Sequence, residues 1–499
     1  MTGPVRTVPH WIDGERTPSS SGRFAPVFDP ATGREQARVG LASVAEVDAA
    51  IASGVRAAAG WRTVSLSRRT EILFAFRQLL AERRDDLAAV VSAEHGKVPA
   101  DAAGEIARGL ENAEFACGVP GMLKGGYSEQ VSTGVDVYSI RQPLGLMVGI
   151  TPFNFPVMVP LWMMCTAIAC GNAFVLKPSE KVPTASLLLA ELWAQAGLPA
   201  GVFNVVQGDK EAVDRLLAHP DVAAASFVGS TPVARSVYVA ATAAGKRVQA
   251  LGGAKNHLVV LPDADVDLAA DAAVSAAYGS AGERCMAVSV VVAVGGIADA
   301  LVEAIADRLP GLRVGPATDP AADLGPLITA THRDRVAGYL DSAAAQGATV
   351  VADGRTAALP AGGFYLGPSL VDRVRPGMAV YDDEIFGPVL SVVRAATYDE
   401  AVELVNRNRY GNGAAIFTRD GAAARRFQFE AIAGMVGINV PIPVPAAHFS
   451  FGGWKSSLFG DTGIYGPRGI DFCTRDKVVT ARWPSSGRSM VDLGFPGNR

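Results

Sequence analysis

Apolar positions follow a helical spacing in the first part of the chain and a shorter spacing further on. Three Ala-rich amphipathic segments, with Glu and Arg on their polar faces, predict helices over 44–59, 67–83 and 101–117. Short apolar runs follow, and they predict strands buried on both faces, over 146–150, 173–176, 202–206 and 224–228. Helical segments separate these strands, over 157–169, 184–196 and 210–218.

Alternating strands and helices predict a parallel, doubly wound α/β sheet. Such sheets bind ligands at the carboxyl ends of their strands, where Lys177, Gly208 and Gly229-Ser230 lie in this chain. The first half is therefore predicted to bind a nucleotide. It has no GxGxxG string, so any dinucleotide site differs from the usual fingerprint.

A second α/β series is predicted from about Asn256 onward. Its strands lie over 258–261 and 288–294, and its helices over 268–278, 298–309, 330–346 and 399–406. The β-rich segments 127–140 and 478–483 are predicted to form a separate small sheet, whose exposed edges imply oligomers. The Gly-, Ser- and Pro-rich tail from Pro484 is expected to be loose.

Composition narrows the class of protein. Of the 499 residues, 49% are hydrophobic and 19% are charged, which is typical of soluble globular proteins. A net charge of −4 without a basic run argues against a nucleic-acid partner. Residues 142–176 carry no charged side chain, but Pro152, Pro156 and Pro160 interrupt them. We therefore expect a buried strand, helix and strand there, and no membrane span.

The five cysteines are scattered and form no CxxC pair, which argues against disulfides and a structural metal site. With no apolar signal segment at the N-terminus, we expect a cytoplasmic protein. Cys285 follows small residues and has Arg284 beside it, in Gly282-Glu283-Arg284-Cys285-Met286. A neighbouring cation lowers a thiol pKa, so Cys285 is a candidate nucleophile, and an inert core cysteine is the alternative.

Six strings in order along residues 10–485 resemble the aldehyde dehydrogenase superfamily. They are Thr151-Pro-Phe-Asn154-Phe-Pro, Leu176-Lys177-Pro-Ser-Glu180, Phe227-Val-Gly-Ser230, Gly282-Glu-Arg-Cys285, Glu384-Ile-Phe386-Gly-Pro-Val and Phe451-Gly-Gly-Trp-Lys-Ser-Ser. Three further strings are similar to its CoA-acylating branch, the methylmalonate-semialdehyde dehydrogenases: Gly253-Ala-Lys-Asn-His257, Gly282-Glu-Arg-Cys-Met-Ala287 and Asp476-Lys-Val-Val-Thr-Ala-Arg482.

The resemblance implies a three-part fold. A Rossmann-like NAD-binding domain would comprise 1–125 and 145–255, and an α/β catalytic domain would comprise 256–445. A small β oligomerisation domain, with the tail, would comprise 126–144 and 446–499. The family suggests a homotetramer, although a dimer stays open.

The resemblance also implies roles for single residues. Cys285 would attack the aldehyde, and Asn154 would donate to the resulting oxyanion; a turn residue is the alternative for Asn154. NAD would contact a larger set: Thr151, Phe153, Lys177, Glu180, Lys181, Ser230, Gly252, Glu384 and Phe386. An exposed loop is the alternative for Lys177, Glu180 and Glu384, a plain helix N-cap for Ser230, and a simple turn for Gly252.

One departure from the hydrolytic relatives concerns the general base. Those enzymes carry Glu-Leu-Gly-Gly after the Phe-x-Gly-Ser strand, and this chain has Ala250-Leu-Gly-Gly253. A methyl group cannot accept a proton, and general-base help contributes about 10²–10⁴ in rate. Water attack on the acyl-enzyme should be slow, unless another base reaches it, and transfer to coenzyme A is favoured.

Two arginines point to the substrate. Arg284 adjoins Cys285, and Arg108 matches the closer branch; an arginine fork binds a carboxylate well. Without the resemblance, Arg108 is better interpreted as part of a solvated helix face among Glu105 and Glu111. The implied reaction is NAD-dependent oxidation of malonate or methylmalonate semialdehyde, with loss of CO₂ and release of acetyl-CoA or propionyl-CoA, in valine or inositol catabolism. A hydrolytic dehydrogenase of another aldehyde acid and a non-catalytic binding protein of the same fold are the alternatives.

Overall fold

The structure, a computed structural model, describes residues 6–483, and the predicted loose tail from Pro484 lies outside them. Two large α/β sheets and three small ones make up the described part. Its α-helices are Val44–Trp61, Leu66–Glu82, Arg84–His95, Pro99–Cys117, Val119–Met122, Met158–Ala169, Thr184–Gln195, Lys210–Ala218, Thr231–Ala243, Val266–Tyr278, Ala298–Arg308, Ala330–Ala345, Ala379–Asp382, Tyr398–Arg407, Gly421–Glu430 and Gly466–Cys473.

The first large sheet has eight strands, in the order Leu458–Phe459, Arg247–Leu251, Val222–Val228, Leu146–Ile150, Ala173–Lys177, Phe203–Val205, His10–Ile12 and Glu15–Thr17. The five from 247–251 to 203–205 are parallel, and antiparallel strands close both edges. The four predicted strands are among these five, so the predicted doubly wound sheet is confirmed. Residues 142–176 form buried strand, helix and strand as predicted.

The second large sheet has seven strands, in the order Thr349–Ala352, Ser369–Asp372, Val389–Ala395, Val288–Val294, Asn256–Val260, Gly413–Phe417 and Met435–Ile438. All its pairs are parallel except the first, which places a second α/β unit where the sequence predicts one. Valine and alanine fill both faces of its central strands, as expected for strands covered by helices on either side.

The predicted small sheet is present. Tyr127–Ser132, Val135–Pro143 and Thr474–Arg482 form an antiparallel sheet, with nine residue pairs joining the last two strands. Residues 454–473 lie elsewhere: 458–459 pair with the eight-stranded sheet, and Gly466–Cys473 packs against Met158–Ala169. The division of the chain into domains therefore remains our prediction, with the small sheet drawing only on 474–482 from the C-terminal part.

Two further small sheets complete the described part: Arg6–Val8, Arg34–Gly40 and Phe24–Asp29 form one, and Tyr410–Gly411 with Trp454–Lys455 form the other. Short 3-10 helices occur at Gly279–Gly282, Gly295–Ile297, Leu309–Gly311 and Gly354–Thr356. Between residues 6 and 483, no helix combines the length and the apolar character that crossing a bilayer requires.

Candidate active site

A cleft of about 1040 Å³ collects residues that follow strands of both large sheets. Ile150, Lys177 and Val228 bring the strand ends of the eight-stranded sheet, and loops of the second unit bring Cys285 and Glu384. Cys285, Asn154 and every predicted cofactor residue line this cleft: Thr151, Phe153, Lys177, Glu180, Lys181, Ser230, Gly252, Glu384 and Phe386. The cleft thus unites side chains that lie up to 235 positions apart, from 151 to 386.

The backbone before the candidate nucleophile makes a left-handed turn. Helix Val266–Tyr278 ends, and Ser280, Ala281 and Gly282 follow with φ angles of 54°, 51° and 74°. Left-handed backbone costs about 1–2 kcal/mol for each residue with a side chain. Gly282 is required here, because a Cβ would lie 2.3 Å from the carbonyl oxygen of Gly387. The turn directs Cys285 into the cleft.

The environment of Cys285 contradicts one prediction. Burial, followed by the charge of Glu384, raises the pKa of the thiol to about 12. The predicted lowering of the thiol pKa is wrong, because burial outweighs any effect of the neighbouring cation; the Arg284 guanidinium is itself paired with the carboxylate of Asp101. The backbone N–H groups of Cys285 and Met286 do favour the thiolate. Deprotonation of the Cys285 thiol near neutral pH therefore needs a change in the charge of Glu384 or in the solvation of the thiol.

Asn154 lies in a buried turn directly beside the nucleophile's loop. Its side-chain Nδ2 donates to the backbone oxygen of Glu283 at 2.9 Å, and the side chain is 3% exposed. An amide nitrogen has two hydrogens, so one stays available for an oxyanion. The bond to Glu283 fixes the plane of the amide two residues from Cys285, as an oxyanion donor requires.

Glu384 lies over the backbone of the Gly252-Gly253 turn. Its Oε1 accepts from the backbone N–H of Ala254 at 2.8 Å, and a Cβ on Gly253 would lie 2.2 Å from its Oε2. A Cβ on Gly252 would lie 2.9 Å from the Ser456 oxygen. Burial raises the pKa of Glu384 to about 7, a range suited to proton transfer at neutral pH.

The outer half of the cleft fits a dinucleotide. Lys177 Nζ lies 3.3 Å from Glu180 Oε2 at the end of the strand Ala173–Lys177, and Lys181 Nζ lies 5.1 Å from the Phe153 ring centre. Burial alone would raise the pKa of Glu180, but Lys177 holds it below its usual range, so the carboxylate is charged and suits ribose hydroxyls. Ser230 is exposed at the start of Thr231–Ala243 and makes no side-chain capping bond. Its hydroxyl and the free N–H groups suit a diphosphate.

Neither of the two predicted substrate arginines is among the described residues that line this cleft. Arg284 lines a small cavity with Cys285, and Arg108 donates to Glu111 at 2.7 Å and to the backbone oxygen of Pro445 at 2.8 Å. Arg108 is partly exposed and pairs with Glu111 on its own helix, but it also reaches a loop 337 residues away, so its role at the substrate stays a prediction. Tyr465 also donates to the Pro445 oxygen, and burial raises the pKa of its phenol, an effect that Arg108 opposes and Cys285 adds to.

A buried acid–histidine cluster beside Cys285 was not predicted. Glu283 is fully buried, and its carboxylate lies 3.6 Å from His95 Nε2 and 3.5 Å from His332 Nε2. Burial raises the pKa of Glu283 to about 8 and lowers that of both histidines, so all three side chains are neutral at pH 7. The sequence showed only that Glu283 lies two residues before Cys285. This position does not reveal that the side chain is buried against two histidines.

Comparison with known proteins assigns this fold and site to a class. The sequence model of the aldehyde dehydrogenase family matches residues 17–479, and the chain belongs to that family. It is 54% identical to the malonate-semialdehyde dehydrogenase of Pseudomonas aeruginosa, over 98% of this chain and 99% of the relative. It is 50% identical to malonate-semialdehyde dehydrogenase 2 of Geobacillus thermodenitrificans, over 96% and 99%.

Solved structures agree with these relatives. The methylmalonate-semialdehyde dehydrogenase of Oceanimonas doudoroffii superposes with a TM-score of 0.95 and 52% identity, covering 96% of this chain and 99% of that one. A Sinorhizobium meliloti protein, solved with NAD and assigned as a methylmalonate-semialdehyde dehydrogenase, gives 0.96 and 52%, covering 97% and 99%. The predicted aldehyde dehydrogenase fold is confirmed.

Proposed function

We propose that this chain catalyses the NAD-dependent oxidation of malonate or methylmalonate semialdehyde and transfers the acyl group from Cys285 to coenzyme A. Relatives with these substrates in their names match over nearly the whole chain. Cys285, Asn154 and a cleft that fits NAD supply the parts that the oxidation needs.

The observation that carries the acyl transfer is Ala250. Its methyl group is fully buried in the strand Arg247–Leu251, where Phe227 and Phe459 are its cross-strand partners. Hydrolytic relatives have their general base at this position. Without a base water is a poor acceptor for the acyl group, whereas a thiolate needs none. We therefore propose that the acyl group on Cys285 is transferred to a thiol.

The proposed reaction passes through a thioester on Cys285. The Cys285 thiol gives up its proton to solvent and the thiolate attacks the aldehyde carbon. The carbonyl electron pair moves to oxygen, where Asn154 Nδ2 and a backbone N–H would stabilise it. Bound NAD would supply the hydride acceptor. Loss of the hydride from the tetrahedral carbon would re-form the carbonyl and leave a thioester on Cys285. Loss of the β-carboxylate as CO₂ would leave an electron pair on the α-carbon, which takes a proton from solvent. The CoA thiolate would then attack the thioester carbonyl and displace the Cys285 thiolate, giving acetyl-CoA or propionyl-CoA.

We assign the substrate carboxylate to Arg108 and Arg284. Arg284 is paired with the carboxylate of Asp101. Arg108 donates to Glu111 and to the backbone oxygen of Pro445, so both arginines already have hydrogen-bond partners. A guanidinium has five N–H donors, and each arginine keeps donors for a second acceptor. Two cations at the acid group of the substrate would select aldehydes that carry a carboxylate.

A hydrolytic reaction is the second candidate, and Glu384 favours it. Together with burial, the charge of its carboxylate raises the pKa of the Cys285 thiol, so the two groups are close. Its own pKa is about 7, as expected of a general base. The same carboxylate is expected on the nicotinamide ribose. The two candidates differ in whether turnover depends on CoA.

The finer assignments are also proposals. The three-stranded small sheet leaves strand edges exposed, which supports assembly into a homotetramer. All five cysteines are free thiols, in keeping with a reducing compartment, and we place the protein in the cytoplasm. Valine or inositol breakdown would supply the semialdehyde.

The test is steady-state NADH formation from malonate semialdehyde with and without CoA. We expect a burst of about one NADH per site without CoA, and sustained turnover with thioester formation when CoA is added. Cys285→Ala should bind NAD and give no burst. Equal steady rates with and without CoA would overturn acyl transfer and support the hydrolytic reaction. Absence of any burst in the wild type would support a binding protein.

A further inference from the structure

The helix Pro99–Cys117 turns a charged face into the protein. Asp101, Glu105 and Arg108 are spaced by four and three residues, so they lie on one side of the helix. Asp101 bonds to Arg284, and Arg108 bonds to the Pro445 loop. Glu105, between them, is 2% exposed. A buried carboxylate is costly unless it is paired, which directs attention to its partners.

Glu105 holds the start of the helix Met158–Ala169. Its Oε1 accepts from the backbone N–H groups of Val157 at 2.8 Å and Met158 at 3.1 Å, which have no partner within the helix. Its Oε2 accepts from Lys97 Nζ at 2.7 Å. One carboxylate therefore satisfies a helix N-terminus and a buried ammonium group together.

Lys97 holds the other end of the same turn. Its Nζ donates to the backbone oxygen of Asn154 and lies 4.0 Å from the centre of the Phe155 ring. Lys97 is 2% exposed, and its ammonium group is paired with the Glu105 carboxylate instead of with water. Lys97 and Glu105 thus hydrogen-bond to the backbone at the two ends of the turn 154–158.

We propose that the buried Lys97–Glu105 pair is a positioning device for Asn154, which holds its amide at the oxyanion site beside Cys285. The inference rests on the role that the proposed function gives to Asn154. A buried ion pair is weak evidence for stability, because desolvation offsets much of the attraction. Here the pair fixes backbone atoms on both sides of the residue that must meet the oxyanion. An error of about 1 Å in such a group can cost about 10²-fold in rate.

Two other roles for Lys97 give different results. A purely structural pair would affect folding alone. A direct electrostatic role would act on the Cys285 thiol, since the charge of Lys97 also lowers its pKa. A positioning role acts through Asn154, so its effect must disappear when the Asn154 amide is removed.

The experiment is a double-mutant cycle between Lys97→Met and Asn154→Ala, read by the single-turnover rate of NADH formation. We expect Lys97→Met to slow this step about tenfold or more in the wild-type background and less than about twofold in Asn154→Ala. NAD affinity should be unchanged, and Lys97→Arg should recover most of the rate. Glu105→Gln, which keeps its shape and accepts the same N–H groups, should slow the step severalfold.

Asp372→Asn is the matched control, since it removes the buried partner of Arg394 at 2.7 Å on the seven-stranded sheet. It should lower the melting temperature and leave the NADH burst rate unchanged. Additive effects of Lys97→Met and Asn154→Ala, or a slowing shared by Asp372→Asn, would overturn the positioning role. An equal slowing of thiol alkylation by iodoacetamide in Lys97→Met would overturn it in favour of direct action on Cys285. If Asn154→Ala alone leaves the rate unchanged, the role of Asn154 in the proposed function fails.

Discussion

The side-chain amide of Asn154 donates to the backbone oxygen of Glu283 at 2.9 Å, two residues before Cys285. This bond joins the turn that follows the strand Leu146–Ile150 to the left-handed loop of the other large α/β unit. The proposed oxyanion donor and the proposed nucleophile are therefore fixed relative to each other across the cleft.

Asn154→Ala should lower the rate of the NADH burst by about 10²–10³-fold, because one oxyanion donor is lost. The dissociation constant of NAD should stay within about twofold, since the amide does not carry cofactor contacts in our assignment. Stopped-flow fluorescence and calorimetry measure the two quantities. A variant with weakened NAD binding and an unchanged burst would assign Asn154 to the cofactor.

Glu384→Gln should make Cys285 more reactive in the enzyme without NAD. The negative charge of Glu384 helps to raise the thiol pKa to about 12, so a neutral amide should increase the thiolate fraction. We expect alkylation by iodoacetamide at pH 8 to be about tenfold faster, or one pKa unit. Asp383→Asn, next in sequence but absent from the groups that act on the thiol, is the control. A slower reaction would show that Glu384 serves the thiol as its base.

Glu283→Gln should change how stability depends on pH. The folded protein holds the Glu283 pKa at about 8, above its unfolded value near 4.3, so between those values only the unfolded chain releases the proton. This group's contribution thus favours folding below about pH 4.3 and is lost progressively up to about pH 8, by about 1.4 kcal/mol per pH unit. Relative to the wild type, Glu283→Gln should gain stability from pH 5 to pH 8 in urea unfolding. A difference that does not vary with pH would mean that Glu283 is ionised.

Arg108→Leu should raise KM for malonate semialdehyde much more than KM for propanal, by about tenfold or more against less than about twofold. A carboxylate loses a charge-assisted hydrogen bond, and propanal has none to lose. Arg77→Leu is the matched control, because Arg77, on the neighbouring helix Leu66–Glu82, pairs with Glu114 on the outer face of the helix that carries Arg108. Equal effects on both aldehydes would reduce Arg108 to a structural link with Pro445.

The sequence predicted the parallel core of the fold because the predicted strands are mostly apolar runs without a charged residue, although Asn204 and Ser226 lie within two of them. The strand Arg247–Leu251 escaped that pattern, since Arg247 and Gln249 interrupt the run. Edge strands such as Leu458–Phe459 are too short to show any period. The motif residues of the cleft could be listed because they follow strand ends. Lys97, Glu105 and Glu283 were missed as site residues because a charged letter does not reveal that its side chain is buried.

The lifetime of the acyl group on Cys285 tests the central claim most directly. The enzyme is mixed with malonate semialdehyde and NAD without CoA, and the acyl group on the Cys285 peptide is followed by mass spectrometry after quenching. We predict an acyl-enzyme that persists without CoA and discharges at least about 100-fold faster when CoA is added, because Ala250 offers water no base. An acyl group that leaves equally fast in water alone would contradict the account.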